Sequence, residues 1–203
     1  MTISLSALFR RKRAVTATPD APDSEPVPLP RITVGGWLTA YPEEILSPGQ
    51  NPHLHLLVSI GDPGEVPPGW LKGVTTERTL RLEFSDEPLS PFRMTELQLA
   101  RLLKEGERLK KKQDGGPLRV HVHCMAGVSR SAACAAALLA YLHPELSDHE
   151  VLTRIQAAQP AMQPNSLILR RTDDALNRQL LWTWQQMEMA AAGLENQPDQ
   201  QAR

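Results

Sequence analysis

The chain has 203 residues, with 22 basic and 23 acidic side chains and a net charge of −1. This length suffices for one domain with tails, and the balanced charge argues against nucleic acid or an anionic membrane as the main partner. Two cysteines cannot form a disulfide framework, and no apolar run reaches the ~18 residues that a membrane-spanning helix needs.

Residues 1–30 are predicted to be a disordered basic and Pro-rich tail, because Thr16 to Pro30 alone contains five prolines. The apolar start, Ile3 to Phe9, comes before the basic run Arg10 to Arg13, which is the reverse of a secretory signal. A solvated tail is the favoured interpretation of the basic run. Weak association of this basic tail with a membrane surface is the alternative interpretation.

Short strands are predicted where apolar runs end in turn residues, at 32–34, 53–62, 79–84 and 118–123. A turn with a short helix is predicted within 37–46, and longer helices at 91–113, 147–158 and 167–186. His53 and His55 alternate with leucines, which is typical of one face of a strand rather than of metal ligands. Residues 188–203 are predicted to form a polar C-terminal tail.

The most informative stretch runs from His123 to Ser131, His-Cys-Met-Ala-Gly-Val-Ser-Arg-Ser, between the last predicted strand and an Ala-rich helix. A loop that opens a helix binds anions, because backbone N–H groups point outward there and the helix dipole favours negative charge. Gly127 lets the loop curl into a nest of N–H groups. The predicted phosphate-binding residues are Met125, Ala126, Gly127, Val128, Ser129 and Arg130.

Cys124 lies at the mouth of this predicted pocket, where the N–H groups and positive charge that bind phosphate also stabilise a thiolate. Attack by Cys124 on phosphorus would give a cysteinyl-phosphate that water hydrolyses. Arg130 can grip two phosphate oxygens with its planar fork. Ser131 could donate a hydrogen bond to the sulfur in the second step. Cys134, inside the helix, is interpreted as a small buried residue.

The pattern His-Cys, five residues, Arg, Ser resembles the active-site loop of the cysteine-dependent protein tyrosine phosphatases, and its Ala-Gly-x-Ser-Arg-Ser form is most similar to the dual-specificity branch and its compact bacterial relatives. The resemblance covers roughly residues 31–187, predicted to be a dual-specificity-like phosphatase domain. Gly36 to Ala40 and Val58 to Asp62 are similar to stretches around the second strand of these enzymes. The resemblance implies an α/β fold: a short, mostly parallel central sheet flanked by helices, with the phosphate-binding loop between a central strand and a helix.

The resemblance also implies a general acid, an aspartate on a loop a few tens of residues before the cysteine, because an alkoxide or phenolate leaves poorly. Asp86 is the predicted acid, with Glu87, Asp62 and Asp114 as alternatives. The related enzymes carry a Pro-Asn pair before their final helix, which makes Asn165 a predicted supporting residue. In this chain Asn165-Ser166-Leu167 stands where Asn-Gly-Phe is more usual. His123, just before the nucleophile, is expected to brace the loop from beneath.

The predicted function is hydrolysis of phosphotyrosine in a protein or peptide, with phosphoserine and phosphothreonine as further candidate substrates. The loop carries no lysine beside Cys124, unlike many loops tuned to phosphoinositides. The alternatives are a phosphoinositide, nucleotide or sugar phosphatase, a catalytically silent phosphate-binding module, and a rhodanese-like sulfur carrier. No metal or organic cofactor is implied. Because Cys124 must be a free thiol, a reducing, cytoplasmic location is expected.

Overall fold

A computed structural model of the chain describes residues 29–37, 53–112 and 117–194. Its centre is a sheet of four parallel strands in the order β1-β4-β2-β3. The strands are β1 (Arg31–Gly36), β2 (Leu56–Gly61), β3 (Thr79–Glu83) and β4 (Arg119–Cys124). β4, which leads into the predicted phosphate-binding loop, lies between two neighbours. The predicted α/β class with a parallel central sheet is therefore confirmed.

Five helices accompany the sheet: α1 (Glu96–Lys110), α2 (Arg130–Leu142), α3 (Asp148–Ala158), α4 (Ser166–Leu176) and α5 (Leu180–Ala191). A short 3-10 helix, Gly69–Gly73, interrupts the loop between β2 and β3. α1 begins later than its predicted start at 91, because Thr95 and Gln98 form a capping box there. The capping box predicted at Ser147 and Glu150 opens α3.

The helix that follows the loop, α2, is the buried centre of the helical layer. Its alanines from 132 to 137 and Cys134 have no exposed surface. A helix that is apolar on all sides must be packed on all sides, and α2 contacts the sheet together with α1, α3 and α4. Small side chains let these elements approach closely. The start of α2, and with it the end of the loop, is thereby fixed in the core.

The prediction of a single helix over 167–186 was wrong, since the chain forms two helices there. Asn177 adopts a left-handed conformation (φ 56°) and ends α4. The carboxylate of Asp173 then accepts hydrogen bonds from the backbone N–H groups of Leu180 and Leu181, which fixes the first turn of α5. α5 continues past residue 187 to Ala191. The turn and helix predicted within 37–46, and most of both predicted tails, lie outside the described residues.

The sheet face that points away from α2 carries buried polar groups. His121 Nδ1 and Thr33 Oγ1 share a hydrogen bond of 2.8 Å. The ring centroids of His123 and Trp70 lie 4.8 Å apart. Burial lowers the pKa of His121 to about 4 and that of His123 to about 3. Both imidazoles are therefore neutral at neutral pH. Among the described residues, no helix is long and apolar enough to cross a bilayer.

Candidate active site

The predicted site residues come from loops at one edge of the sheet. Because all four strands are parallel, their carboxyl ends meet at the same edge, where ligands bind in open α/β sheets. Asp62 directly follows β2, Asp86 follows β3, and Cys124 is the last residue of β4. The parallel register thus brings together three side chains that are far apart along the chain.

Cys124 is buried inside the turn of the loop. Its Sγ atom lies 3.3 Å from the backbone nitrogen of Gly127, which donates to it, and 3.2 Å from Ser131 Oγ. Gly127 has a φ of +82°, and a Cβ atom there would lie 2.5 Å from backbone atoms of Gly35 and Gly36. Only glycine fits this position, because β1 passes directly against the loop. The sulfur therefore has two polar neighbours suited to stabilising negative charge.

The N-terminus of α2 is open toward the same pocket. Its N-cap residue, Ser129, makes no capping hydrogen bond with its side chain. Its Oγ donates instead to Asp86 Oδ1 at 2.7 Å. The first N–H groups of α2 thus lack the usual side-chain acceptor and can serve an anion.

Within the part of the chain that the structure describes, the guanidinium group of Arg130 makes protein hydrogen bonds through Nη1 but none through Nε. Its Nη1 group donates to Asp62 Oδ1 at 2.9 Å and to the carbonyl of Phe84 at 2.8 Å. Its Nε atom is buried and has no hydrogen-bond partner among the described residues. A buried unpaired N–H is costly. An oxygen of a bound phosphoryl group would satisfy it.

Asp86 is held by donors from two other segments. Asn165 Nδ2 donates to both the backbone carbonyl of Asp86 and its Oδ1 atom, the latter at 2.9 Å. Ser129 donates to the same Oδ1. The Oδ1 atom of Asn165 meanwhile caps α4 by accepting from the N–H groups of Leu167 and Ile168. One asparagine therefore ties the start of α4 to the loop that carries Asp86.

The alternative acids are placed differently. Asp62 is paired with Arg130, Glu87 is exposed, and Asp114 lies outside the described residues. His123 is fully buried, and its ring packs against those of Trp70 and His121.

Sequence reasoning missed three contacts at this site. Asp62 was predicted only as an alternative acid, the hydroxyl group of Ser129 had no predicted role, and Gln159 had none at all. Gln159 Nε2 donates to the carbonyl of Gly127 at 3.1 Å. Only the Gln159-Pro160 pair at the end of α3 marks this position in the sequence, and that pair also has an ordinary explanation as a helix end.

No protein-family model and no curated protein matches the sequence. Solved structures do match the fold. Human DUSP28 superposes with a TM-score of 0.51 at 21% identity, over 73% of this chain and 92% of its own. The chain has a dual-specificity phosphatase fold. DUSP15 matches with a TM-score of 0.50 at 22% identity, over 78% and 91% of the two chains. PTPMT1, in complex with PI(5)P, matches with a TM-score of 0.51 at 18% identity, over 80% and 94%. The predicted resemblance to dual-specificity phosphatases is thus confirmed at the level of the fold.

Proposed function

We propose that this chain is a phosphomonoesterase that acts through a cysteinyl-phosphate. The observation that carries the proposal is the environment of Cys124 Sγ. The backbone N–H of Gly127, the hydroxyl group of Ser131 and the N-terminus of α2, which has no side-chain cap, all lie around this atom. A buried arginine with an unpaired Nε lies at the start of the same helix. This arrangement suits a tetrahedral oxyanion held against a thiolate.

In the first step, the Cys124 thiolate attacks phosphorus and the bond to the ester oxygen breaks. Arg130 and the loop N–H groups hold the non-bridging oxygens. Asp86, held through its Oδ1 atom by Ser129 and Asn165, gives a proton to the leaving oxygen, which departs as an alcohol or phenol.

In the second step, water attacks the cysteinyl-phosphate and the sulfur leaves as a thiolate. Asp86 takes the proton from the water, which returns it to its acidic form. Ser131, 3.2 Å from the sulfur, can donate a hydrogen bond to the departing thiolate. The products are inorganic phosphate and the free Cys124 thiolate, with which the next cycle begins.

The proposed substrate is a phosphotyrosine-containing protein or peptide, with phosphoserine and phosphothreonine as further substrates. The charge around the pocket supports this choice over a multiply phosphorylated small molecule. Asp62 pairs with Arg130 and has a side chain that is 46% exposed, which places negative charge beside the phosphate clamp. Met125, a large apolar residue of the loop, is 45% exposed, and its side chain suits contact with a phenyl ring. The need for a free thiol supports a reducing location such as the cytoplasm.

The first experiment is hydrolysis of para-nitrophenyl phosphate by the wild type and by Cys124→Ser, without added metal. Turnover by the wild type alone is expected. If neither protein turns over while both bind tungstate, the chain is a phosphate-binding module instead. Transfer of sulfur from thiosulfate to cyanide by the wild type would indicate a sulfur carrier.

The second experiment compares phosphotyrosine peptides with soluble phosphoinositides. PTPMT1 is known in complex with PI(5)P, so PI(5)P belongs in the panel. Hydrolysis of the lipid head groups with no activity on any peptide would overturn the proposed substrate, while leaving the cysteinyl-phosphate chemistry in place.

A further inference from the structure

The loop between β4 and α2 is held from outside through its carbonyl groups. Met125 O accepts from the backbone nitrogen of Trp37 at 2.8 Å, and Ser129 O accepts from that of Asn165 at 3.5 Å. Val128 O accepts from the backbone nitrogen of Gln163 at 2.9 Å. The fourth carbonyl, that of Gly127, accepts from a side chain, Gln159 Nε2.

These outer contacts determine where the loop N–H groups point. In a trans peptide unit, the C=O and the following N–H lie in one plane and point in opposite directions. A carbonyl fixed outward therefore turns the next N–H inward. The Gln159 contact in this way directs the N–H of Val128 into the pocket, beside the Gly127 N–H that already reaches Cys124 Sγ.

Gln159 is well placed for this task because its own backbone is fixed. Its N–H donates to Ile155 O at 2.9 Å, and its carbonyl accepts from Met162 N at 3.0 Å. It ends α3, whose core residues are buried. The partner at Gly127 is a carbonyl that only accepts, so the contact requires an N–H donor at position 159.

We propose that Gln159 is a positioning residue of the phosphate-binding loop, whose side-chain amide sets the orientation of the Gly127–Val128 peptide and thereby the affinity of the pocket for a tetrahedral oxyanion. The inference rests on the proposed function, because it assumes that the pocket binds a phosphoryl group. It adds a residue from the end of α3 to a site otherwise built from the edge of the sheet and the starts of α2 and α4.

The test measures tungstate binding by titration calorimetry, and the rate at which iodoacetamide alkylates Cys124 at mildly acidic pH. For Gln159→Ala we expect tungstate affinity to fall about 2- to 10-fold, the size of effect that one lost hydrogen bond gives, and alkylation to slow. Gln159→Arg keeps an N–H donor and should restore most of both. Gln159→Glu, with the same shape but an acceptor facing the carbonyl, should lose at least as much as alanine. Gln156→Ala, on the same helix, is the matched control.

Unchanged tungstate affinity and alkylation in both Gln159→Ala and Gln159→Glu would overturn the proposal. An equal loss in Gln159→Ala and Gln159→Arg would overturn it too, because the effect would then come from packing rather than from the donor. A wild type that binds no tungstate would overturn the proposed function itself. Thermal unfolding of each variant, followed alongside, separates loss of the fold from loss of the loop geometry, and Gln159→Arg keeps the test decisive if alanine unfolds the chain.

Discussion

Replacing Gly127 with alanine should damage the protein far more than the same change at Gly64. Both glycines have positive φ angles, +82° and +79°, so both changes carry the left-handed penalty of about 1–2 kcal/mol. Nothing lies within 4 Å of a Cβ atom at Gly64. At Gly127 that atom would lie 2.5 Å from Gly35 C and Gly36 N and 2.8 Å from Gly35 O. These are backbone atoms of β1, which cannot rotate away.

Overpacking of this kind typically adds about 1–3 kcal/mol. Gly64→Ala is therefore expected to lower the free energy of unfolding by about 1–2 kcal/mol, and Gly127→Ala by about 2–5 kcal/mol. Urea unfolding of the two variants, with the slopes compared, measures the difference. Only Gly127→Ala should also lose tungstate binding, since the loop must move away from β1.

Equal destabilisation by the two substitutions would refute the close approach of β1 to the loop. Full tungstate affinity in a folded Gly127→Ala variant would refute the link between that approach and the shape of the pocket.

Asn165→Asp keeps the oxygen that caps α4 but loses both hydrogen bonds that Nδ2 donates to Asp86. The kcat/KM for phenyl phosphate should therefore fall about 10- to 100-fold, because its leaving group needs the acid. An equal loss on para-nitrophenyl phosphate, whose leaving group is better, would contradict this. Burial holds the pKa of His121 near 4 and that of His123 near 3, against about 6.5 in the unfolded chain. The unfolded state therefore binds more protons as pH falls below 6.5, and the urea midpoint should drop steadily from about pH 7 to pH 5; a flat profile would disprove neutral burial. Cys134 is fully buried, and burial raises the pKa of its thiol, so iodoacetamide should alkylate only Cys124 in the native protein. Cys134→Ala should lower the free energy of unfolding by about 1 kcal/mol without changing activity. Mass spectrometry that finds Cys134 modified in the native protein would contradict its burial.

The sequence was sufficient for the features that depend on neighbouring residues. The run from His123 to Ser131 predicts a strand, an anion-binding loop and a helix, because its glycine, its arginine and the alanines after it each favour one local conformation. The parallel sheet was implied by the resemblance that this run carries and not by an alternation of strands and helices, since only the short 3-10 helix Gly69–Gly73 lies between β2 and β3. The capping box at Ser147 was also predictable, since its two partners stand three residues apart. The division between α4 and α5 was not, because neither glycine nor proline marks it, and a left-handed Asn177 is held by contacts of Asp173 across the break.

The contacts that shape the site depend on tertiary structure. Asp62 and Arg130 are 68 positions apart, Ser129 and Asp86 are 43 apart, and Gln159 and Gly127 are 32 apart. No pattern in the sequence selects these partners over the other carboxylates and amides of the chain. The parallel register selects them, because it brings the ends of β2, β3 and β4 to one edge, and the packing of α3 against α2 then sets the end of α3 beside the loop. The sequence by itself determined which residues are proposed for the chemistry, because their types and spacing are local, and the packed sheet and helices decided which side chains hold them in place.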